Sequence, residues 1–239
     1  MTEAEWLACT DLKTLLKRLR KKSQRKLRLL AVACCRRIWH LFTQPDTQDA
    51  IRTAECYADG LTSQGKVIAA RKRIKQAARE VARNAGDRQW QPEWSHPYST
   101  ALELVILYPP RFDCPGIAYK VALEVATADG EPEWWRNDNP VWAAEGRAHC
   151  HLGRDIFKSP FRPVTLDPTS LTPLVVSLAQ AAYEERSLPS GELDATRLTV
   201  LADALEEAGC DNADILNHCK GPGPHVCGCW VVDLLLGKE

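Results

Sequence analysis

Residues 198–238, LTVLADALEEAGCDNADILNHCKGPGPHVCGCWVVDLLLGK, decide how the chain is read. Leu198, Leu201, Ala202 and Leu205 recur every three or four positions, and Asp203, Glu206 and Glu207 take the opposite side, which is the pattern of an amphipathic helix. Gly209 stands where a left-handed residue would end that helix, and Asp211 or Asn212 can cap a shorter one carrying Ala213, Leu216 and Cys219. An αα-hairpin with a tight turn follows from this spacing. Asp211 and Asp214 at the start of its second helix would repel phosphates, so the hairpin is not a DNA-reading helix-turn-helix.

The same periodicity extends towards the N-terminus. Thr172 and Pro173 fit a cap and a first-turn proline ahead of Leu174, Val175, Leu178, Ala179 and Ala182, a helix expected to run to about Arg186. A helix is expected over VWAAEGRAHCHLGRDIF, where His149, Cys150 and His151 point to different faces and cannot converge on one ion by themselves. Further helices are expected from Ser99 to Leu107 and from Gly116 to Ala128. Earlier still, Thr2 with Glu5 has capping-box spacing, Thr10 or Asp11 can cap a second helix, and Ser23 precedes a third that carries Leu27, Leu30, Ala31, Cys34, Ile38 and Leu41 on one stripe. Pro45 and Asp46 stop that helix and cap the next, which Gly60 closes. The fold class expected is all-α: an irregular multi-helix bundle with a C-terminal αα-hairpin and a Gly/Pro/Cys tail. It divides by composition into residues 1–86, 87–165 and 166–239, or forms one compact domain.

Composition narrows the class. The 239 residues are 45% apolar and 26% charged, a globular balance. No run approaches the roughly 18 apolar residues of a membrane span, and MTEAEWLACTDLK lacks the order of a signal peptide. A cytoplasmic protein with reduced thiols is expected, with Cys9, Cys34, Cys35, Cys56, Cys114 and Cys150 as small core hydrophobes. Formal charge is zero, yet residues 1–86 carry 19 Lys and Arg against 8 Asp and Glu. That asymmetry fits either a surface for nucleic acid or two halves that attract each other.

The most basic helix spans Gln64 to Ala85. Val67, Ala70, Ile74, Ala77, Ala78 and Val81 form its apolar stripe, and Arg71, Lys72, Lys75 and Arg79 are the candidate phosphate contacts. The competing reading is a solvated face or a surface against the acidic half. Trp90, Trp94, Tyr98, Trp134, Trp135 and Trp142 fit either a recognition groove or plugs at the edges of a core.

The tail carries the sharpest chemical signal. His218, Cys219, His225, Cys227 and Cys229 fall within twelve residues, and Gly221, Pro222, Gly223 and Pro224 make a turn that can fold His225 back towards Cys219. Thiolates and imidazoles are the ligands of structural zinc, and Cys219, His225, Cys227 and Cys229 are the candidate set. Only Gly228 separates the last two thiols, where zinc ribbons place two residues. Trp230, Val231, Val232 and Leu234 support instead a tail tucked into the core. A thiol-dependent chemistry would rest on Cys219 or Cys229 beside His225.

The order RLTVLADALEEAGCDNADILNHC resembles the short planctomycete repeat-companion domain, matching its pattern at Leu198, Leu201, Ala202, Asp203, Leu205, Glu206, Glu207, Gly209, Ala213 and Leu216. Ala204 stands where that pattern has tryptophan. From CCRRIWHL and ECYADGL through DIFKSPFRPV to the tail, the chain is similar to a family of planctomycete proteins. The likeness carries no activity with it, but a domain that accompanies repeat proteins implies a protein partner. With no glycine-rich phosphate loop, nucleophile elbow or paired helical histidines, the function expected is a non-catalytic helical interaction or scaffold module. The alternatives are nucleic-acid binding through the basic helices and a zinc-stabilised or thiol-dependent protein.

Overall fold

A computed structural model describes residues 1–19, 23–84, 116–122 and 140–238. Among them are eleven α-helices and no strand beyond isolated bridges, so the chain is an all-α, multi-helix protein. The helices are α1 (Glu3–Ala8), α2 (Leu12–Lys17), α3 (Gln24–Arg37), α4 (Pro45–Ala58), α5 (Gln64–Asn84) and α6 (116–122), then α7 (Pro140–Ile156), α8 (Pro173–Glu184), α9 (Ala195–Glu207), α10 (Ala213–Cys219) and α11 (Trp230–Leu235). The helix expected from Ser99 to Leu107, the end of the one from Gly116, Cys114 and five of the six aromatic residues named above lie outside the described residues. The sixth, Trp142, stacks on Tyr119 with centroids 5.0 Å apart.

Caps set most helix starts where the sequence places them. Thr2 and Glu5 form the reciprocal capping box of α1, and Asp11, Ser23, Thr172, Asp194 and Asn212 each accept backbone N–H groups of the turn they precede. Two boundaries differ. Helix α3 stops at Arg37, and Trp39–Leu41 form a 3-10 turn that brings Phe42 into the core with no exposed surface. Helix α4 starts with Pro45 in its first turn behind Gln44, which makes no side-chain cap. Asp46 therefore acts on the helix dipole from inside the first turn.

Packing divides the helices into two groups. In the first, α3 lies on α4 and α7, α4 on α5, and α2 on α7; in the second, α9 lies on α8 and α10, and α11 on α8 and α10. One hydrophobic cluster runs through both, from Leu15, Leu30, Ile51 and Ile74 to Leu152, Leu198, Ile215 and Val231. Cys34, Cys35 and Cys150 are buried in it as expected, while Cys9 is half-buried against it and Cys56 is half-buried on α4.

Buried charges stitch the two groups together. The Arg25 guanidinium of α3 donates to Asp59 at 2.9 Å, to the Tyr183 hydroxyl of α8 at 2.8 Å, and to both oxygens of Asp233 of α11 at 2.6 and 3.0 Å. Arg36 donates to Glu55 at 2.6 and 3.1 Å and to the Pro189 carbonyl, and Arg186 meets Glu55 from the other side at 3.0 Å. Within the first group, Arg37 pairs with Glu145 of α7, whose carboxyl is held down at about 2: burial opposes that shift, and Arg37 with His149, 3.3 Å away, outweighs it. At Arg25 and Arg37, then, the basic half of the chain spends charge on acids of the other half.

Asp233 is almost wholly inaccessible, with a side chain 1% exposed. Removing its principal partner leaves a buried carboxylate under-compensated, and Lys26 at 3.5 Å is a distant substitute. Arg25→Ala is expected to lower unfolding free energy by about 3 kcal/mol, read from urea denaturation, whereas exposed Lys72→Ala changes it by no more than about 0.5 kcal/mol.

Candidate metal centre

The polar cluster at the junction of the two helix groups is built on Asp155, in the last turn of α7. A carboxylate there faces the negative end of the helix dipole and is buried. Three donors offset both penalties. Asp155 Oδ1 lies 2.8 Å from Nδ1 of His225 and 3.2 Å from Nε2 of His218, and Oδ2 accepts the backbone N–H of Val226 at 2.8 Å. Burial by itself would raise the Asp155 pKa, but the hydrogen bonds from His218 and His225 bring it below the ordinary aspartate value.

The loop between α10 and α11 delivers His225 and Cys229. Gly223, at φ +74°, turns the chain back after α10, and a Cβ there would meet the His225 backbone nitrogen at 3.1 Å. The loop is tied to the segment before α9, where Leu193 N–H donates to the His225 carbonyl at 2.8 Å. Gly228, at φ +94°, lets the backbone pass Leu29 of α3 so closely that a Cβ would lie 2.9 Å from its Cδ1. Cys229 then occupies the cap position of α11, its thiol 3.2 Å from His218 Nε2 and fully buried.

Asp155, His218, His225 and Cys229 thus offer four donor atoms that all lie within 4.8 Å of one another. A four-coordinate zinc-like ion with bonds of roughly 2.0–2.3 Å needs donors about 3.3–3.8 Å apart, so a contraction of about an ångström at the widest pair would close the group round an ion. The cluster could hold a metal.

Proton positions follow from the hydrogen bonds. The Trp230 indole N–H donates to His218 Nδ1 at 3.1 Å, so that nitrogen is the acceptor and Nε2 carries the proton shared towards Asp155 and Cys229. His225 presents Nδ1 to Asp155, and its Nε2 is buried without a hydrogen-bond partner. Burial would lower the His225 pKa, but the Asp155 hydrogen bond and charge raise it. Burial pushes the Cys229 thiol well above its ordinary value, and the Asp155 charge adds to this.

Of the four residues expected from the sequence, His225 and Cys229 are brought together and Cys219 and Cys227 are not members of the group. Cys219 is buried on α10, its pKa pushed up to about 12 by burial and by Asp155 and Cys210. Cys227 points the other way, donating to the Tyr183 hydroxyl at 2.9 Å beside Asp59. The turn at Gly228 explains the split: the Cys229 N–H closes it on the Val226 carbonyl at 2.9 Å, and the positive φ of Gly228 reverses the chain between the two thiols, so they do not share an ion here. His218 and Asp155 take their places. The signal for Asp155 was its position three residues after Leu152 and next to Ile156, an acid on an inward stripe of α7.

On α5, Lys72, Lys75 and Arg79 are exposed along one side and Arg71 is half-buried. Arg73 between them pairs with Asp46 and Asp49 of α4. Among the described residues no helix is long and apolar enough to cross a membrane. No protein-family model, curated protein or solved structure matches the chain.

The two shifts at the centre of the cluster bound a pH window. Asp155 is depressed from 3.8, so its contribution is complete above that value and is lost as pH falls through the folded pKa. His225 is raised from 6.5, so its contribution is complete below that value and is lost as pH rises through the folded pKa. In metal-free protein Asp155→Asn is expected to cost about 3 kcal/mol at about pH 6 and to reduce the loss of stability on the alkaline side to the share that His149 keeps beside Glu145, as measured by urea unfolding from about pH 5 to 9.

Proposed function

We propose that the protein is a non-catalytic helical scaffold for a protein partner, and that its C-terminal unit is fastened to the helical body by one structural zinc ion bound to Asp155, His218, His225 and Cys229. The observation that carries the zinc reading is the convergence of those four donors from α7, α10 and the following loop, three of them buried and His218 half-buried. A structural site is closed and four-coordinate, and a thiolate with two imidazoles and a carboxylate is a donor set that zinc accepts. The protein-partner reading is supported by the likeness of residues 197–219 to a domain that accompanies repeat proteins.

Burial argues for structure over catalysis. A nucleophilic cysteine needs a depressed pKa and access to a substrate, whereas Cys229 is fully buried and its thiol is shifted upward. Zinc would supply what the thiol lacks by favouring the thiolate directly, with release of the thiol proton. For His218 to offer Nε2 to the ion, its single ring proton would have to move from Nε2 to Nδ1. That proton would then oppose the Trp230 indole N–H, so zinc uptake would displace the indole from its present hydrogen bond.

Protein stripped with chelator and then dialysed against buffered zinc is expected to retain one zinc per chain by elemental analysis. Unfolding free energy should rise by about 2.7 kcal/mol at a hundredfold excess of free zinc over Kd. Tryptophan emission should change on zinc addition, and the change should vanish in Trp230→Phe. Failure of the chain to retain zinc, or zinc retained equally by Cys229→Ser and His225→Ala, would overturn the zinc reading.

A further inference from the structure

A cavity of about 670 Å³ opens beside Trp230, between the end of α2, the start of α3, the residues after α7, and α11. Its volume falls in the range of sites that enclose small organic ligands, about 300–1,000 Å³. The walls divide sharply by chemistry. Leu19, Phe157, Pro160, Trp230 and Leu234 supply apolar surface, and Arg18, Lys26, Lys158 and Lys238 supply four cations; no carboxylate is among the described lining residues.

The charges are not neutralised in place. Lys26 is the exception, since its ammonium donates to the Ile156 carbonyl at 3.1 Å and lies 3.5 Å from Asp233. Arg18 rests 5.2 Å over the Phe161 ring and Lys238 lies 3.8 Å over the Tyr183 ring. Aromatic faces orient a cation without cancelling its charge. Lys158 is exposed, and no carboxylate among the described residues pairs with Arg18, Lys158 or Lys238. In a chain of zero formal charge, three unpaired cations round an apolar floor are a local excess of positive potential. Low-dielectric walls would focus it.

We infer that this cavity binds an amphiphilic organic anion, a carboxylate or phosphate head on an apolar tail or ring. The head sits among Arg18, Lys158 and Lys238, and the apolar part covers Phe157, Trp230 and Leu234. An inorganic anion would leave the apolar floor wet, and an apolar cation or alcohol would leave the three charges unmet. None of these residues is a proposed zinc ligand, and Trp230 is the residue that the cavity shares with the surroundings of that site.

Isothermal titration of the full chain at about 50 mM salt, with decanoate and decyl phosphate as probes, tests it. The expected result is saturable binding of one molecule per chain by at least one probe, with decyltrimethylammonium and inorganic phosphate at least tenfold weaker. Arg18→Glu and Lys158→Glu, both at exposed positions, should each weaken the better probe about fivefold to tenfold, and charge reversal at Lys72 on α5 should leave it unchanged. The two decyl probes identify the preferred head group. Absence of saturable binding by both, equal binding of the cationic analogue or of phosphate alone, or affinities within twofold of the parent in both charge-reversed variants would overturn the inference. Helical content measured by circular dichroism on each variant separates lost binding from lost fold.

Discussion

Asp155 is a carboxylate taken out of water at the unfavourable end of a helix, and the junction between the two helix groups is arranged to accommodate it. The cost of such a group is several kcal/mol unless it is fully bonded. Each of its bonds recruits a different piece of chain: the Val226 N–H brings the loop, His225 brings the turn that precedes it, and His218 brings the end of α10. A leucine in its place could pack against the same neighbours in several ways. A carboxylate with directional partners accepts one arrangement, so the cluster specifies how the second helix group sits on the first.

The helices were legible because their cause is local. Apolar spacing, capping side chains and terminal glycines act within a few residues, which is why α1, α2, α9 and α10 begin and end close to where Thr2, Asp11, Gly209 and Asn212 place them. The end of α3 was less legible, since the burial of Phe42 decides it and nothing within a helical turn reports that burial. Helix α11 was read only as a tail entering the core. Six residues with a cysteine in the cap position give too little periodicity to distinguish a helix from an apolar run.

The candidate site was half legible, for a related reason. His225 and Cys229 were identified by chemistry and proximity in sequence, and both belong to the cluster. Counting thiols and imidazoles along the tail could not show that Gly228 sends Cys227 towards Tyr183 and Cys229 towards His218, nor that a carboxylate 63 positions before His218 completes the group. The uneven distribution of charge had two readings. Arg25 and Arg37 support the internal one, pairing with Asp233 and Glu145, while Lys72 and Lys75 are exposed.

The span between Arg25 and Asp233, 208 positions, bears on the order in which the molecule can assemble on the ribosome. Domains begin to fold from the N-terminus as they are synthesised, and α3 and α4 can pack long before α11 exists. Until α11 has emerged from the exit tunnel, the Arg25 guanidinium has Asp59 but not Asp233, and the early helices remain an unfinished wall. The emergence of α11 is thus the event that seals the early helices.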